Sequence, residues 1–408
     1  MGGDGYYSGY TGGGPFGSPA GPPPEPAQPM PGAPSGNTRV ALLVSQTGAR
    51  AELGQALAQA AQLALEASDG PQLDVKDTGG TAQGAAQAAQ SAINDGAGLI
   101  IGPLTAPETA AVAPVARSAG VAVLAFTNDP SRAAPGVWTL GITPGQQVRR
   151  LVAAAQAQGR TQIAALLPAS DFGHVMAQAL MQAAQSGGLP QPNIRFHASD
   201  MASITAAARD VTDYADRRGP IDAKIKAARA LETPDGKRQA EELAKTPIPP
   251  PDFAAILLAD TGVALEEVAS LLPYYDVDRS QVQIMGPALW GAPSSAASDQ
   301  VPGAWFAAPD PAARAEFEQS YTARYGAPPP ALADLAFDAA SIARVAAGEG
   351  RYSIAALTQP AGFIGANGWL ALLPDGQVRR GLALFRVEQG GSPQMIEPAP
   401  QSAAGVGI

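Results

Sequence analysis

From Thr38 onward, short apolar runs alternate with amphipathic stretches. In Arg39-Val-Ala-Leu-Leu-Val44 the last five positions are all apolar, which predicts a strand buried on both faces. After it, Leu53, Leu57, Ala61 and Leu65 recur every four residues, one stripe of a helix. Residues 73–75 predict a second strand, 81–95 an Ala/Gln-rich helix, 99–101 a third strand, and 121–126 a fourth after a helix opening at Thr105. The pattern breaks near 138–143 and restarts: a helix over 146–158, a strand at 163–167, a helix over 173–185, a strand near 193–197 and a helix from about Ser203. Strands at 253–258 and 282–285 follow. Strands alternating with helices make βαβ units, and these build parallel sheets covered on both faces. Two such series predict an α/β protein of two doubly wound, Rossmann-like lobes with parallel sheets, joined by a hinge. Ligands of such sheets bind beyond the carboxyl ends of the strands, here the cleft between lobes.

Two regions fall outside the alternation. Residues 1–37 hold 11 glycines and 9 prolines, a composition that predicts a disordered tether. Within it, Gly12-Gly-Gly-Pro-Phe-Gly17 matches G-x-G-x-x-G, but no strand precedes it and no helix follows, so a dinucleotide site is excluded. Among residues 213–245, 15 of 33 are charged, eight basic and seven acidic, and four prolines between 247 and 251 stop any helix. A solvated helical insertion is expected there. The expected division is a tether at 1–37, lobe 1 from 38–142 plus 289–365, and lobe 2 from 143–288 plus 366–395. The charged insertion at 213–250 belongs to lobe 2, and 396–408 form a flexible tail.

Charge and composition narrow the function. A net charge of −10 argues against nucleic acid and against adhesion to anionic lipid. No apolar run approaches the roughly 18 residues that cross a bilayer. The start shows no charged segment followed by an apolar one, so either the protein is cytosolic or the sequence begins after a processing site. With no cysteine, disulfides, thiolate catalysis and zinc–sulfur sites are excluded. The two histidines, His174 and His197, lie in separate elements and are expected at surfaces or loops rather than on a metal. No H-E-x-x-H, G-x-S-x-G or Walker motif occurs. The expectation is a protein that is not an enzyme and uses no cofactor and no metal.

The remaining chemistry sits at strand ends: Thr47 after the first strand, Thr105 after the third, Thr127 and Asn128 after the fourth. In the second series, Asp171 and Phe172 follow the strand at 163–167, Asp260 and Thr261 the strand at 253–258, and Trp290 the strand at 282–285. Each also has a local reading. Thr105-Ala-Pro-Glu108 is a capping box, Asp171 and Asp260 fit helix N-caps, and Trp290 fits a plug at a lobe interface. As ligand groups, the hydroxyls and helix N-termini would converge on an anion such as a carboxylate, while an aspartate faces an ammonium.

Val40-Ala-Leu-Leu-Val-Ser-Gln-Thr-Gly48, Asp77-Thr-Gly-Gly80, Gly98-Leu-Ile-Ile-Gly-Pro103 and Ala113-Pro-Val-Ala116 resemble, in this order, the opening units of the type I periplasmic binding proteins of the leucine/isoleucine/valine group. Ala336-Phe-Asp-Ala339 and Gly365-Ala-Asn-Gly368 resemble their C-terminal part, and the likeness covers roughly residues 38–390. It implies that Thr105 and Thr127 lie where amino-acid receptors hold the ligand carboxylate, and that Asp260 or Thr261 lies near the acid that meets the amino group. Phe172 stands where such receptors often carry tyrosine, which removes one hydroxyl.

The Pro-rich tether and the charged insertion resemble instead the penicillin-binding-protein activators, lipoproteins whose C-terminal domain has the same fold. That branch implies a periplasmic, outer-membrane lipoprotein that stimulates a peptidoglycan synthase through protein contact and meets the membrane only through a lipid anchor. It also implies a sequence beginning just after the lipidated cysteine. The alternative is a receptor that carries amino acids or small amides to an ABC permease.

Overall fold

A computed structural model describes residues 39–66, 70–292, 295, 297–348 and 352–403. The expected tether at 1–37, with its glycine motif, lies outside the described residues.

The chain opens with β1 (Val40–Val44), α1 (Ala51–Leu65), β2 (Leu73–Asp77), α2 (Ala82–Asn94), β3 (Leu99–Ile101), α3 (Ala106–Ser118), β4 (Ala122–Ala125) and β5 (Val137–Thr139). The five strands form one parallel sheet in the order β2-β1-β3-β4-β5. All residues of β1, β3 and β4 are buried, as continuous apolar runs demand when helices cover both faces. β5 occupies the stretch expected as a break. Its three residues are too few to show a period, yet Trp138 at its centre is fully buried.

The chain then crosses to a second sheet through α4 (Pro144–Ala157), β6 (Ile163–Pro168), α5 (Asp171–Ser186), β7 (Asn193–His197) and α6 (Met201–Val211). The charged insertion is a helix pair, α7 (Tyr214–Ala230) and α8 (Pro234–Ala244), closed around its own small core of Ile221, Ile225, Ala228 and Ala240. At its base the Arg217 guanidinium donates to the carbonyls of Thr212, Pro249 and Tyr275, at 2.7, 2.5 and 2.8 Å. β8 (Ala255–Leu258), α9 (Gly262–Tyr274), β9 (Gln283–Gly286), α10 (Ala297–Gln300) and β10 (Trp305–Ala308) complete the forward passage.

The chain returns to the first lobe as α11 (Pro311–Tyr325), α12 (Ala333–Gly348), α13 (Ile354–Leu357) and a three-stranded antiparallel sheet, β11 (Phe363–Gly365), β12 (Gly368–Leu372) and β13 (Val378–Arg380). α12 packs on α1, and the hydroxyls of Tyr321 and Tyr325 both reach Gln59 of α1. β14 (Ala383–Arg386) and β15 (Gln394–Glu397) then finish the second sheet, ordered β15-β14-β10-β9-β8-β6-β7. β14 pairs antiparallel with both β10 and the edge strand β15; the remaining pairings, from β10 to β7, are parallel.

Three boundaries differ from the expected division. Trp290, α10 and β10 belong with the second lobe, because β10 pairs with β9 and β14 and Trp290 and Ala297 lie in that lobe's core. Residues 366–380 pack with the first lobe: Leu370, Leu372 and Val378 join its core, and the Trp138 indole N–H donates to the Leu373 carbonyl at 2.7 Å. The expected tail from 396 starts inside β15, whose Glu397 pairs with Arg150 at 2.6 Å.

Three crossings thus join the lobes, after β5, after β10 and after β13. A buried ion pair lies beside them. Arg380 Nη1 sits 2.8 Å from Asp338 Oδ2, Arg380 Nη2 donates to the Leu140 carbonyl at 3.1 Å, and Asp338 Oδ1 accepts from the Ala366 amide at 2.6 Å.

Candidate functional site

Glycines let the helices that follow β2 and β6 pack tightly against the ends of those strands. A Cβ on Gly84 would fall 2.1 Å from the Thr78 carbonyl oxygen, and one on Gly173 1.9 Å from that of Pro168. The same close approach after β2 and after β6 excludes any larger residue at these two helix starts.

On the first lobe, the polar groups close on each other. Asp77 accepts from the amides of Gln46, Thr47 and Gly79 at 2.8, 3.3 and 2.8 Å and from the Thr47 hydroxyl at 2.7 Å. The Thr47 hydroxyl and the Gly79 amide hold its carboxyl below the usual carboxylate range, against a smaller opposing effect of burial. Glu108, 2% exposed, accepts from the Thr78 hydroxyl at 2.8 Å, the Thr105 amide at 3.1 Å and the Thr105 hydroxyl at 2.6 Å. The Glu108 amide donates back to Thr105 Oγ1 at 3.4 Å, completing the capping box. Ser45 Oγ lies 3.4 Å from Thr78 Oγ1, so one network spans the loops after β1, β2 and β3.

A threonine hydroxyl has one proton to give. Thr47 gives it to Asp77, and Thr78 and Thr105 give theirs to Glu108. Thr127 is buried and accepts from the Asp129 amide at 3.1 Å. Asn128 is exposed and its side chain makes no hydrogen bond among the described residues.

The second lobe repeats this closure. Ser170, not Asp171, caps α5, accepting from the Gly173 amide at 3.2 Å; Asp171 is an exposed residue of the first turn. Phe172 is half-buried against the lobe's core. Asp260 is no N-cap either: its carboxylate turns inward and faces His197 Nε2 at 3.3 Å. His197 is therefore a buried core residue, contrary to the expected surface or loop placement. Its Nδ1 faces the Ala198 carbonyl at 2.9 Å, so both ring nitrogens meet acceptors. Burial alone would lower its proton affinity, but the bond to Asp260, that to Ala198 and nearby carboxylate charge outweigh burial and raise it. His174 stacks on Phe196 with ring centroids 4.6 Å apart.

Trp290 is not an interface plug: it is 2% exposed inside the second lobe, where its indole N–H donates to the Asp260 carbonyl at 2.9 Å. Thr261 is exposed, and its hydroxyl makes no cap bond. Sequence reasoning missed the partners, Asp77 and His197, as members of these clusters. It saw Glu108 only as a cap. No group of three or more potential metal ligands occurs among the described residues.

The family model described as periplasmic binding protein matches residues 37–392. No curated protein sequence matches the chain. Among solved structures, a putative branched-chain amino acid ABC transporter from Rhodospirillum rubrum superposes with a TM-score of 0.62 at 19% identity, covering 88% of this chain and 99% of the other. Full-length LpoA from Haemophilus influenzae gives 0.62 at 17% identity over 88% of this chain, which spans only 59% of that protein's length. The C-domain of the same LpoA, described as a regulator of PBP1A, gives 0.59 at 17% identity with 88% and 99% coverage. At these identities the likeness is one of fold.

Proposed function

The chain belongs to the periplasmic binding protein family, and from that premise we propose that it is a non-enzymatic regulator resembling the penicillin-binding-protein activators, stimulating peptidoglycan synthesis through protein contact. The family implies a periplasmic location. No described helix is long and apolar enough to cross a membrane, and on this reading the protein meets the membrane only through a lipid anchor.

One observation carries the reading: of the two hydroxyls expected to hold a ligand carboxylate, that of Thr105 is spent on Glu108, and its neighbours Thr78 and Thr47 are spent on Glu108 and Asp77. A carboxylate ligand needs donors and a low local negative charge. At the first-lobe mouth it would meet Asp77 and Glu108, already saturated by Thr47, Thr78 and Thr105. The aspartate expected to meet an ammonium has His197 as its partner instead. The charged helix pair α7–α8, with its own core, offers a separate surface for a protein partner.

A second reading, a receptor delivering amino acids or small amides to an ABC permease, draws on two exposed polar groups at the lobe mouths. Asn128 and Thr261 keep side chains with no hydrogen bond among the described residues.

Two measurements separate the readings. Thermal unfolding of the chain is followed with amino acids, small amides and peptidoglycan fragments; a true ligand at 100 times its Kd adds about 2.7 kcal/mol. Capture of a purified penicillin-binding peptidoglycan synthase is measured in parallel, with and without residues 215–248. The regulator reading expects an unresponsive panel and capture that disappears with the deletion. A clear shift with an amino acid, or capture indifferent to the deletion, sinks it.

A further inference from the structure

A cavity of about 230 Å³ lies beside the hinge, separate from the strand-end clusters. Its walls come from both lobes: Pro130 and Thr139 from the first, Arg149 of α4 with Gln178 and Gln182 of α5 from the second, and Gln377 from the turn before β13.

Arg149 is the unusual member. It is half-buried, yet it donates no hydrogen bond and forms no ion pair among the described residues. Its neighbour Arg150 shows the ordinary solution, donating to the Leu382 carbonyl at 2.9 Å and pairing with Glu397. A guanidinium withdrawn from water without a partner is costly. Burial is the main cause that lowers its proton affinity, and the charge of Arg379 adds to the effect; Asp375 opposes both. Arginine nevertheless keeps its proton at neutral pH, so the cavity carries an unspent fork of donors and an excess of positive charge in a chain of net charge −10. The exposed amides of Gln178, Gln182 and Gln377 add neutral donors around the rim.

We propose that this cavity binds a small oxyanion, a carboxylate or a phosphate, through the Arg149 guanidinium. The planar fork matches both anions in a bidentate contact. The volume lies below the range of drug-sized pockets, about 300–1,000 Å³, which limits the ligand to a small anion or the charged end of a larger one. The site does not depend on the regulator reading, since it lies away from both the strand-end network and the α7–α8 pair.

The test is calorimetric titration of the full chain with sodium phosphate and, separately, sodium acetate, each against sodium chloride of equal ionic strength. Saturable binding of one or both is expected, and the responding arm identifies the anion. Arg149→Gln should weaken it about tenfold or more, the scale of a lost charge-assisted hydrogen bond. Gln182→Glu, on an exposed wall position that does not threaten folding, should weaken it similarly by placing a negative charge at the rim. No saturable binding of either anion up to about 10 mM, where the binding free energy would be about −2.7 kcal/mol, overturns the proposal. So does equal affinity in the wild type and Gln182→Glu.

Discussion

Nε2 of His197 lies 3.3 Å from Oδ2 of Asp260 inside the second lobe, with the two side chains 1% and 4% exposed. The other ring nitrogen faces the Ala198 carbonyl, so only the doubly protonated imidazole satisfies both contacts. The pair ties the end of β7 to the end of β8, and the Asp260 carbonyl in turn holds the Trp290 indole.

A pH dependence follows from this arrangement. The proton affinity of His197 is raised in the folded protein, so its stabilising contribution is fully present below the unfolded value of about 6.5. It is lost as pH rises from there through the raised folded value. Urea denaturation of the wild type and of His197→Gln should therefore differ most near pH 5.5, by about 3 kcal/mol for a carboxylate left buried without its cation. The difference should shrink toward pH 9. A gap that stays constant with pH would mean that the ring binds its proton equally in the folded and unfolded states, and one that widens as pH rises that the folded ring is held neutral.

Glu108 is predicted to matter more to the fold than its position at a cleft mouth suggests. Glu108→Ala strands the Thr78 and Thr105 hydroxyls and removes the capping box of α3, at a cost of about 2–4 kcal/mol. Thr105→Val should cost about 1 kcal/mol through the lost cap. Thr47→Val, on an exposed loop, should stay below about 1 kcal/mol. Chemical denaturation of the three variants checks the order. Were these groups held ready for a ligand, all three substitutions would leave the free protein nearly unchanged.

How much of this was legible in the sequence depends on the range of the forces involved. β1, β3, β4, β6 and β8 are written as apolar runs because burial on both faces leaves no polar option. The Thr105–Glu108 box is written in four consecutive residues. By contrast, β5 is three residues long, and only Trp138 marks its burial. The placement of β10 rests on a pairing between distant segments, Trp305 with Arg386, and that of β11–β13 on the packing of Leu370 and Val378 into the core of the first lobe, which no local period records. The candidate residues were found at the right strand ends. Their use was not legible, because Thr47 meets Asp77 across 30 residues and His197 meets Asp260 across 63.

The ion pair of Asp338 and Arg380 is predicted to hold the crossings together. Asp338 is fully buried, and burial pushes its carboxyl above the usual range although Arg380 pulls it down. Asp338→Ala leaves the Arg380 guanidinium uncompensated in the core, where such a loss costs about 3–5 kcal/mol. It also frees the Ala366 amide and loosens the contact that Arg380 makes with Leu140, where β5 leaves for the second lobe. Amide hydrogen exchange should accelerate around Leu140 and Ala366 in this variant. Acceleration confined to α12 would show that the pair stabilises its helix and not the crossing.

The α7–α8 pair should unfold by itself. Its core is four buried residues with Leu243 and Ile248 packed alongside, and three contacts of Arg217 tie its base to the second lobe. So small an apolar cluster cannot offset the backbone entropy of two helices unless the base is anchored. Ile225→Asp puts an unpaired charge into that cluster, and Arg217→Ala removes the anchor. Both variants should expose the lysines at 224, 226, 237 and 245 to trypsin at least tenfold faster, for a local loss of about 1.4 kcal/mol or more. The thermal midpoint of the two lobes should move little, because Tyr214 at the base of α7 is the one residue of the helix pair that packs against a lobe core among the described residues. A matching fall in that midpoint would show that the insertion folds as one unit with the second lobe, and the deletion of 215–248 would then no longer isolate a docking surface.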